Sequence, residues 1–213
     1  MKNNLFILFT LSIFFVFNFN AKAQGKPENK DFNNKGWLSV GARSTISLFD
    51  SDGAGIGTGG QFRIQLNNSV NTDWFADYIS INVKDKVRSD YYHIGWSVLF
   101  YPFEKLHYPK TIQPYTIAGH CFDYNKKTVL NDPSIYKDRW GSAVQAGIGT
   151  HFNITDRFDL SLTCQYMIHL TKELEAEITD NTTAIIQQKN TSLEGHLLTT
   201  LSLNYKLFKL WNK

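Results

Sequence analysis

The sequence predicts an all-β fold of eight antiparallel strands that run up and down in chain order. Apolar and polar residues alternate with a period of two, as in a strand, because successive side chains point to opposite faces. We find no convincing helical pattern in residues 24–213. The two longest connections, 125–138 and 171–190, would both lie at the same end of such a sheet. The alternating segments are residues 37–48, 60–67, 74–83, 91–101, 112–124, 139–152, 159–170 and 192–208.

The N-terminus has the pattern of a secretory signal peptide that is cleaved before Gln24. Lys2 supplies the positive charge, residues 5–17 form an almost continuous apolar run, and small residues stand at Ala21 and Ala23. The apolar run is shorter than the roughly 20 residues that a membrane-spanning helix needs. We therefore expect a cleaved signal peptide rather than a helical membrane anchor.

The rest of the chain is predicted to form a flexible polar lead-in, residues 24–35, and one domain, residues 36–213. Removal of residues 1–23 takes away two lysines and no acidic residue, so the formal net charge falls from +3 to +1. A nearly neutral chain with scattered charges gives no electrostatic reason to expect a nucleic acid partner.

The first, second and fourth segments separate cleanly into an apolar and a polar face. In residues 37–48, for example, Leu38, Val40 and Ile46 alternate with small or polar residues. The polar faces of these three segments include Ser39, Arg43, Gln61, Arg63, His93, Gly95 and Ser97.

The third segment, residues 74–83, is less regular. If Phe75, Ile79 and Ile81 form an outward apolar face, Asp77 faces outward too. If that outward face contacts a lipid bilayer, a carboxylate at the middle of the bilayer is energetically unfavourable, and it is less unfavourable near the lipid headgroups. Either Asp77 lies near an interface, or a β-bulge shifts the phase of the strand.

The fifth segment is ambiguous in phase, whereas the last three alternate more clearly. In residues 159–170, Leu160, Leu162 and Tyr166 share one face. The opposite faces of these three segments include Gln145, His151, Ser161, Thr163, Gln165, His169, Glu194, His196 and Lys206.

Together these features resemble the small outer-membrane β-barrel proteins of the OmpA/OmpX type, a porin-like family. The likeness covers about residues 36–211 and includes the turn "NITDRF" and the aromatic-rich last strand "LSLNYKLF". It implies an eight-stranded transmembrane barrel in the outer membrane of a Gram-negative bacterium, with apolar residues toward lipid. It also implies contact with outer-membrane lipid and lipopolysaccharide, assembly by the barrel-assembly machinery, and no cofactor. Family members often end at an aromatic residue, whereas this chain continues from Phe208 to Trp211 and beyond.

A soluble periplasmic ligand-binding barrel would show the same alternation with its faces reversed. Three features favour a membrane barrel whose apolar face contacts lipid over this soluble barrel. Small polar residues suit the narrow lumen of an eight-stranded barrel, the chain lacks the second apolar layer of a sandwich, and aromatic residues near strand ends form the expected interfacial girdle. These aromatic residues are Tyr92, Phe100, Trp140, Phe152 and Tyr205.

The polar faces are predicted to fill the lumen with a network of side chains that satisfy one another, because unpaired buried charge is costly. The expected role is therefore non-enzymatic: structural support, surface interaction or adhesion. The predicted members of the network are Arg43, Arg63, His93, Gln145, Gln165, His169, Glu194, His196 and Lys206.

The alternative in this architecture is a lipid-modifying enzyme of the lipid A acyltransferase or deacylase type. His151 is the nearest candidate base, but no serine lies two residues away, as it does in the deacylases. A metal site would require histidines such as His93 and His120 to meet, and no tight ligand spacing supports one. The glycine-rich stretch 53–60 lacks the lysine and helix of a phosphate-binding loop, so we expect a flexible surface loop there.

The connection 171–190 is the candidate site for an extracellular partner. The stretches "ELEAEI" and "TAIIQQ" flank a turn-favouring Asp-Asn pair, which predicts either an exposed hairpin or a solvated acidic loop. A hairpin edge can capture another chain by β-augmentation.

Cys121 and Cys164 lie on strands separated by another strand, which is too far for a disulfide. We expect two free thiols, both facing lipid.

Overall fold

The computed structural model describes residues 35–49, 53–103, 112–172, 174–178, 183–187 and 195–211. The predicted signal peptide, residues 24–34 of the predicted lead-in and Glu194 lie outside these ranges.

Eight strands form a closed antiparallel barrel in which each strand pairs with its neighbours in chain order and the first pairs with the last. The prediction of an all-β, up-and-down barrel is therefore confirmed. No helix among the described residues is long and apolar enough to cross a membrane. The barrel strands are β1 (Trp37–Phe49), β2 (Gly53–Gln65), β3 (Val70–Val83), β4 (Val87–Phe100), β5 (Ile112–Val129), β6 (Tyr136–Asn153), β7 (Phe158–His169) and β10 (Gly195–Lys209).

The outer surface of the barrel is predominantly apolar. On β7, Leu162, Cys164 and Tyr166 are exposed, whereas the residues between them are buried. On β1 the exposed face extends from Leu38 to Leu48. Ten residue steps of about 3.3 Å, tilted by about 40°, cover about 25 Å, which matches the apolar band of outer-membrane barrels.

Aromatic side chains form a continuous row across the outer surface of β3 to β6. Direct strand pairing places Tyr78 beside Tyr92, Tyr92 beside Tyr124, and Tyr124 beside Trp140. Their ring centroids are 4.9, 5.8 and 5.0 Å apart. The predicted girdle residues Phe100 and Phe152 are also exposed on the outside, nearer the opposite end.

Two predicted loops are wrong in extent because the strands are longer than their alternating segments. Residues 53–60 belong to β2, since glycine lets neighbouring backbones and side chains approach closely without breaking the ladder. β5 continues to Val129 and β6 begins at Tyr136, so only residues 130–135 connect them rather than 125–138.

The structure decides the phase of β3, which the sequence left open. Phe75, Ile79 and Ile81 are buried inside the barrel, together with Asp77. The pairing of β3 shows no bulge, so neither proposed placement of Asp77 is correct. The physical reason is an ion pair between Asp77 Oδ2 and the inward-facing guanidinium of Arg43, at 3.1 Å.

The phase of β5 corrects the cysteine prediction in part. Both cysteines are free, as predicted, and Cys164 is exposed on the outside. Cys121 instead lies inside the barrel, where its sulfur is 4.0 Å from that of Met167. Strict alternation then carries Asp123 and Asn125 inward as well.

A small second sheet, the hairpin of β8 (Leu174–Ile178) and β9 (Thr183–Gln187), lies apart from the barrel sheet. Leu174 and Ile185 are buried against apolar side chains from the ends of β3, β4 and β5. The hairpin is thus ordered, and it packs on the barrel instead of extending the neighbouring strands. The barrel partners are Val83, Val87 and Val129.

Candidate functional site

The inner face of the barrel holds the predicted polar residues that the structure describes. Most are buried there, and Lys206 is half-buried at the end of the barrel where β1 begins. We call that end, where the chain enters β1, the turn end, and the opposite end, which carries the hairpin, the loop end. The residues concerned are Arg43, Arg63, His93, Gln145, Gln165, His169, His196 and Lys206.

The turn-end cluster is centred on the carboxylate of Asp159. Arg63 Nη1 lies 3.1 Å from Asp159 Oδ1, and Asn204 Nδ2 donates to the same oxygen at 2.9 Å. Ser161 Oγ donates to it at 3.0 Å. These partners come from β2, β7 and β10, so the cluster ties strands together across the lumen. Gln61 extends it by donating to Asn204 Oδ1 at 2.5 Å.

A second part of this cluster surrounds His151. Its Nδ1 is 2.5 Å from Ser161 Oγ, and its Nε2 is 2.9 Å from the hydroxyl of Tyr101. Asn71 Nδ2 in turn donates to Tyr101 Oη at 3.1 Å. The ring of Tyr115 packs on His151, with centroids 4.5 Å apart. Polar and aromatic groups together close this end of the lumen.

Arg43 lies between the two ends and links β1 to β3. Its guanidinium is 3.1 Å from Asp77 and 3.9 Å from Asp73, and it also stacks over the ring of Phe75, 4.4 Å from the centroid. A cation buried with two carboxylates and an aromatic face is well compensated.

The loop-end cluster is centred on Asp123, which is fully buried. Its carboxylate lies 2.8 Å from His169 Nδ1, 3.3 Å from His93 Nε2 and 3.2 Å from Arg139 Nη2. The ring of His196 lies 4.9 Å from that of His169. Four strands, β4 to β7, therefore meet at one carboxylate.

An apolar cluster occupies the lumen beside these histidines. The sequence does not predict it, because the phases of β3 and β5 stayed open. Its members fill the width of a barrel whose interior is only about wide enough for side chains. They are Phe75, Ile79, Ile81, Tyr91, Cys121, Ala143, Met167 and Leu198.

The contact between His151 and Ser161 does not have the arrangement of a hydrolytic triad. In a triad the carboxylate and the nucleophile bind opposite nitrogens of the imidazole. Here both Ser161 and Asp159 lie on the Nδ1 side, and Nε2 is bonded to Tyr101. Ser161 is also buried and receives a hydrogen bond from Arg63. The cluster is a closed hydrogen-bond network.

His93 and His120, which a metal site would have to bring together, lie on opposite faces of the barrel wall. His93 pairs directly with Asp123, whereas His120 lies opposite Trp96 on the outer face and bonds Ser142. Among the described residues, no group of three or more His, Cys, Asp or Glu side chains is arranged to hold a metal ion.

Sequence analysis missed the carboxylates that organise the lumen. Asp159 stands at the first position of its predicted segment, and Asp77 and Asp123 lie in the two segments whose phase stayed open. One signal was available: each predicted inward arginine needs a buried counter-ion. The carboxylates would have been candidates on that ground alone.

Comparison with known proteins supports the fold. No protein-family model matches the chain, and no curated protein matches its sequence. Among solved structures, a major outer membrane protein from Thermus thermophilus aligns over 80% of this chain and 98% of its own, with 10% identity and a TM-score of 0.56. The chain has the fold of an outer-membrane β-barrel protein. Such low identity shows the shared fold alone.

Two further structures align over similar lengths. The attachment invasion locus protein Ail of Yersinia pestis matches 81% of this chain and 99% of its own, at 13% identity and a TM-score of 0.47. Neisserial surface protein A matches 80% of this chain and 96% of its own, at 14% identity and a TM-score of 0.46.

Proposed function

We propose that this protein is a non-conducting, non-enzymatic barrel of a Gram-negative outer membrane, with a structural and surface-interaction role. The observation that carries the proposal is the filled lumen. Each of the three buried arginines described above has a carboxylate oxygen within 3.2 Å. The bonds of Arg43 and Arg63 join strands that are not neighbours in the barrel. Such a lumen holds the barrel together and leaves little room for a solute path.

The outer surface supports placement in a bilayer. An apolar face of about 25 Å bounded by aromatic rings matches the hydrocarbon band and interfacial girdles of outer-membrane barrels. Contact with outer-membrane lipid and lipopolysaccharide follows from this placement. The proposal includes export through the predicted signal peptide and insertion by the barrel-assembly machinery.

The loop end supports a role at the cell surface. β5 and β6 stay paired as far as Thr128 and Tyr136, whereas the pairing of β6 with β7 ends at Ala143 and His169. Among the described residues, no strand pairs with the far side of β6 over residues 136–141. This edge and the edges of the β8–β9 hairpin offer backbone groups to an added strand of an extracellular partner.

Two measurements test the proposal. Cell fractionation should place the folded protein in the outer membrane, and unboiled protein should migrate differently from boiled protein in detergent gels, since a closed barrel keeps its strand pairing in cold detergent. Release by osmotic shock without membrane association would contradict membrane placement.

Conductance in planar bilayers tests the filled lumen. The purified, folded protein should give no steady channel, and a porin reconstituted in the same bilayers is the positive control. Stable nanosiemens-scale conductance from the pure protein would contradict the non-conducting role while leaving the barrel fold intact.

A further inference from the structure

β6 has one free side at the loop end, over residues 136–140, which we call the β6 edge. The neighbouring chain follows β6 as far as the bond from Leu170 N to Ser142 O, at 2.8 Å. Beyond that bond, Arg139 Nη1 on the inner face donates to Thr171 Oγ1 at 2.6 Å. The chain after β7 therefore turns toward the inner face, and no strand among the described residues pairs with the β6 edge.

The backbone groups of every second residue of the β6 edge point away from β5. Within a strand, the N–H and C=O of one residue point to one side, and those of the next residue point to the other. Ser142 O is directed at β7, whereas Ile135 O accepts a hydrogen bond from Val129 N of β5, at 3.0 Å. The pairing of β5 with β6 has no bulge that would break this alternation. The residues that face the free side are therefore Tyr136, Asp138 and Trp140.

Lys137 gives the β6 edge a preference for negative charge. It is exposed, it shares the inner face with Arg139, and its direct partner on β5 is another cation, Lys127. In the part of the chain that the structure describes, no carboxylate lies within ion-pair distance of Lys137. A lysine on an exposed edge disfavours apolar or basic strands. A carboxylate directly opposite it forms a favourable cross-strand pair.

The outer face of the β6 edge is aromatic. Tyr136 and Trp140 are 54% and 70% exposed. Asp138 lies between them and already has Lys126 of β5 as its direct partner. Apolar β-branched side chains pair well with aromatic ones across a sheet. The β6 edge thus fits a strand with an acidic residue on the inner face and apolar residues on the outer face.

A second copy of the chain does not fit this pattern. Antiparallel pairing of two β6 edges with their outer faces aligned would be centred on Asp138. It would place Asp138 against Asp138 and Lys137 against Arg139. Like charges directly opposite one another destabilise a sheet.

We propose that the β6 edge binds an extended acidic segment of another protein as an added β-strand. The N–H and C=O groups of Tyr136, Asp138 and Trp140 form the new ladder, and a carboxylate of the segment lies opposite Lys137. Apolar side chains of the segment lie beside the two aromatic rings. This inference rests on the surface-interaction role proposed above and names the site and the chemistry of the partner.

The test uses the folded protein in an uncharged detergent and the labelled peptide acetyl-Val-Ser-Thr-Glu-Val-amide. In antiparallel pairing its Glu lies opposite Lys137 and its two Val residues lie opposite Tyr136 and Trp140. The peptide should bind saturably and slow hydrogen exchange of the free-side amides of the β6 edge. Lys in place of the peptide Glu should weaken binding about fivefold, as expected for an exposed charge pair. Methylation of the peptide Thr nitrogen, which removes the central N–H aimed at β6, should abolish binding.

Asp138→Pro and Asp138→Asn are the matched variants on the protein. Proline removes an N–H on the free side, and an edge strand tolerates that because the ladder with β5 does not use it. Asparagine removes only the charge. The proline variant should lose binding, and the asparagine variant should keep it. If the proline variant fails to fold in the gel assay, the comparison of methylated with unmethylated peptide on the unchanged protein still decides.

Three results would overturn the proposal: no saturable binding, equal binding of the methylated peptide, or equal binding of the lysine peptide. Slow exchange of the edge amides before peptide is added would also overturn it. In that case, protection that rises with protein concentration would identify a second copy as the occupant, and constant protection would identify the chain itself. Cell fractionation tests membrane placement independently, so failure of peptide binding leaves that part of the proposed function standing.

Discussion

At the scale of single residues, the lumen depends on carboxylates that compensate buried cations. Asp123 serves one arginine and two histidines, and Asp159 serves one arginine, one asparagine and one serine. Removal of one member of a buried pair leaves its partner's charge in a poorly solvated site. Substitution of these acids should therefore lower the free energy of unfolding more than substitution of acids on the outer surface does.

Asp123→Asn should lower the free energy of unfolding by about 3 kcal/mol, because Arg139 loses a charged partner in the lumen. Urea titration of the detergent-folded protein measures the effect. Asp90→Asn is the matched control, because Asp90 pairs with half-exposed Arg88 on the outer surface. Asp90→Asn should lower the free energy of unfolding by about 1 kcal/mol or less. Equal costs for the two variants would contradict the central position of Asp123.

The two cysteines should differ in reactivity because they face opposite sides of one barrel wall. In the folded protein a membrane-permeable maleimide should modify Cys164, which is exposed, but not Cys121, which is buried. Intact-mass analysis should show one adduct before unfolding and two afterwards. Cys164→Ser should show none before unfolding. Rapid modification of Cys121 in folded protein would place β5 in the opposite phase.

At the scale of elements, alternation alone predicts strands well but not always their orientation. β7 was predictable because one face is apolar and the other is almost entirely polar. In β3 both faces are mixed: Trp74 and Tyr78 lie outside, and Phe75 and Ile79 lie inside. A period of two identifies two faces, and only the partner across the lumen decides which one faces lipid.

Strand spacing should be most sensitive at Gly147 of β6. A Cβ atom there would collide with the carbonyl oxygen of Cys164 and lie 2.7 Å from Cα of Gln165 on β7. Gly147→Val should therefore reduce the fraction of protein that migrates as a folded barrel before boiling. Gly60→Val is the control, since a Cβ atom at Gly60 would meet only Gly41 O, at 3.8 Å. Similar folding of the two variants would show that β6 and β7 can separate at this point.

The β8–β9 hairpin should detach when its buried face becomes charged. Ile185→Asp places a carboxylate against the apolar ends of β3, β4 and β5, whereas Ala184→Asp changes an exposed position on the same strand. The first variant should be cleaved in the hairpin at a lower protease concentration, with the barrel still heat-modifiable. The second should match the unchanged protein. Equal protection of both variants would contradict packing through Ile185.

At the scale of the whole molecule, the closed eight-stranded barrel was predictable, but the contents of its lumen were only partly so. The count of amphipathic segments leads to an eight-stranded barrel, whereas the predicted alternation of connection lengths does not hold, since three of the connections that were expected to be long have six residues or fewer. The lumen contacts join residues far apart in sequence, such as Arg63 to Asp159 and Gln61 to Asn204. These pairings depend on the register of every strand between them, so small errors in strand bounds accumulate.

The orientation of the barrel follows from the positions of its chain ends and of the β8–β9 hairpin. The N-terminal strand and the last strand both reach the turn end, where β6 and β7 are joined by a short turn around Asp156. The loop end carries the hairpin and the connection 130–135. We expect the turn end to face the periplasm and the loop end the exterior.

An epitope tag inserted after Asp132 should bind antibody on intact cells, whereas a tag after Asp156 should bind only once the outer membrane is permeabilised. Both tagged proteins must first pass the heat-modifiability assay, so that exposure of an unfolded chain is not mistaken for topology. Antibody binding at Asp156 alone on intact cells would reverse the orientation.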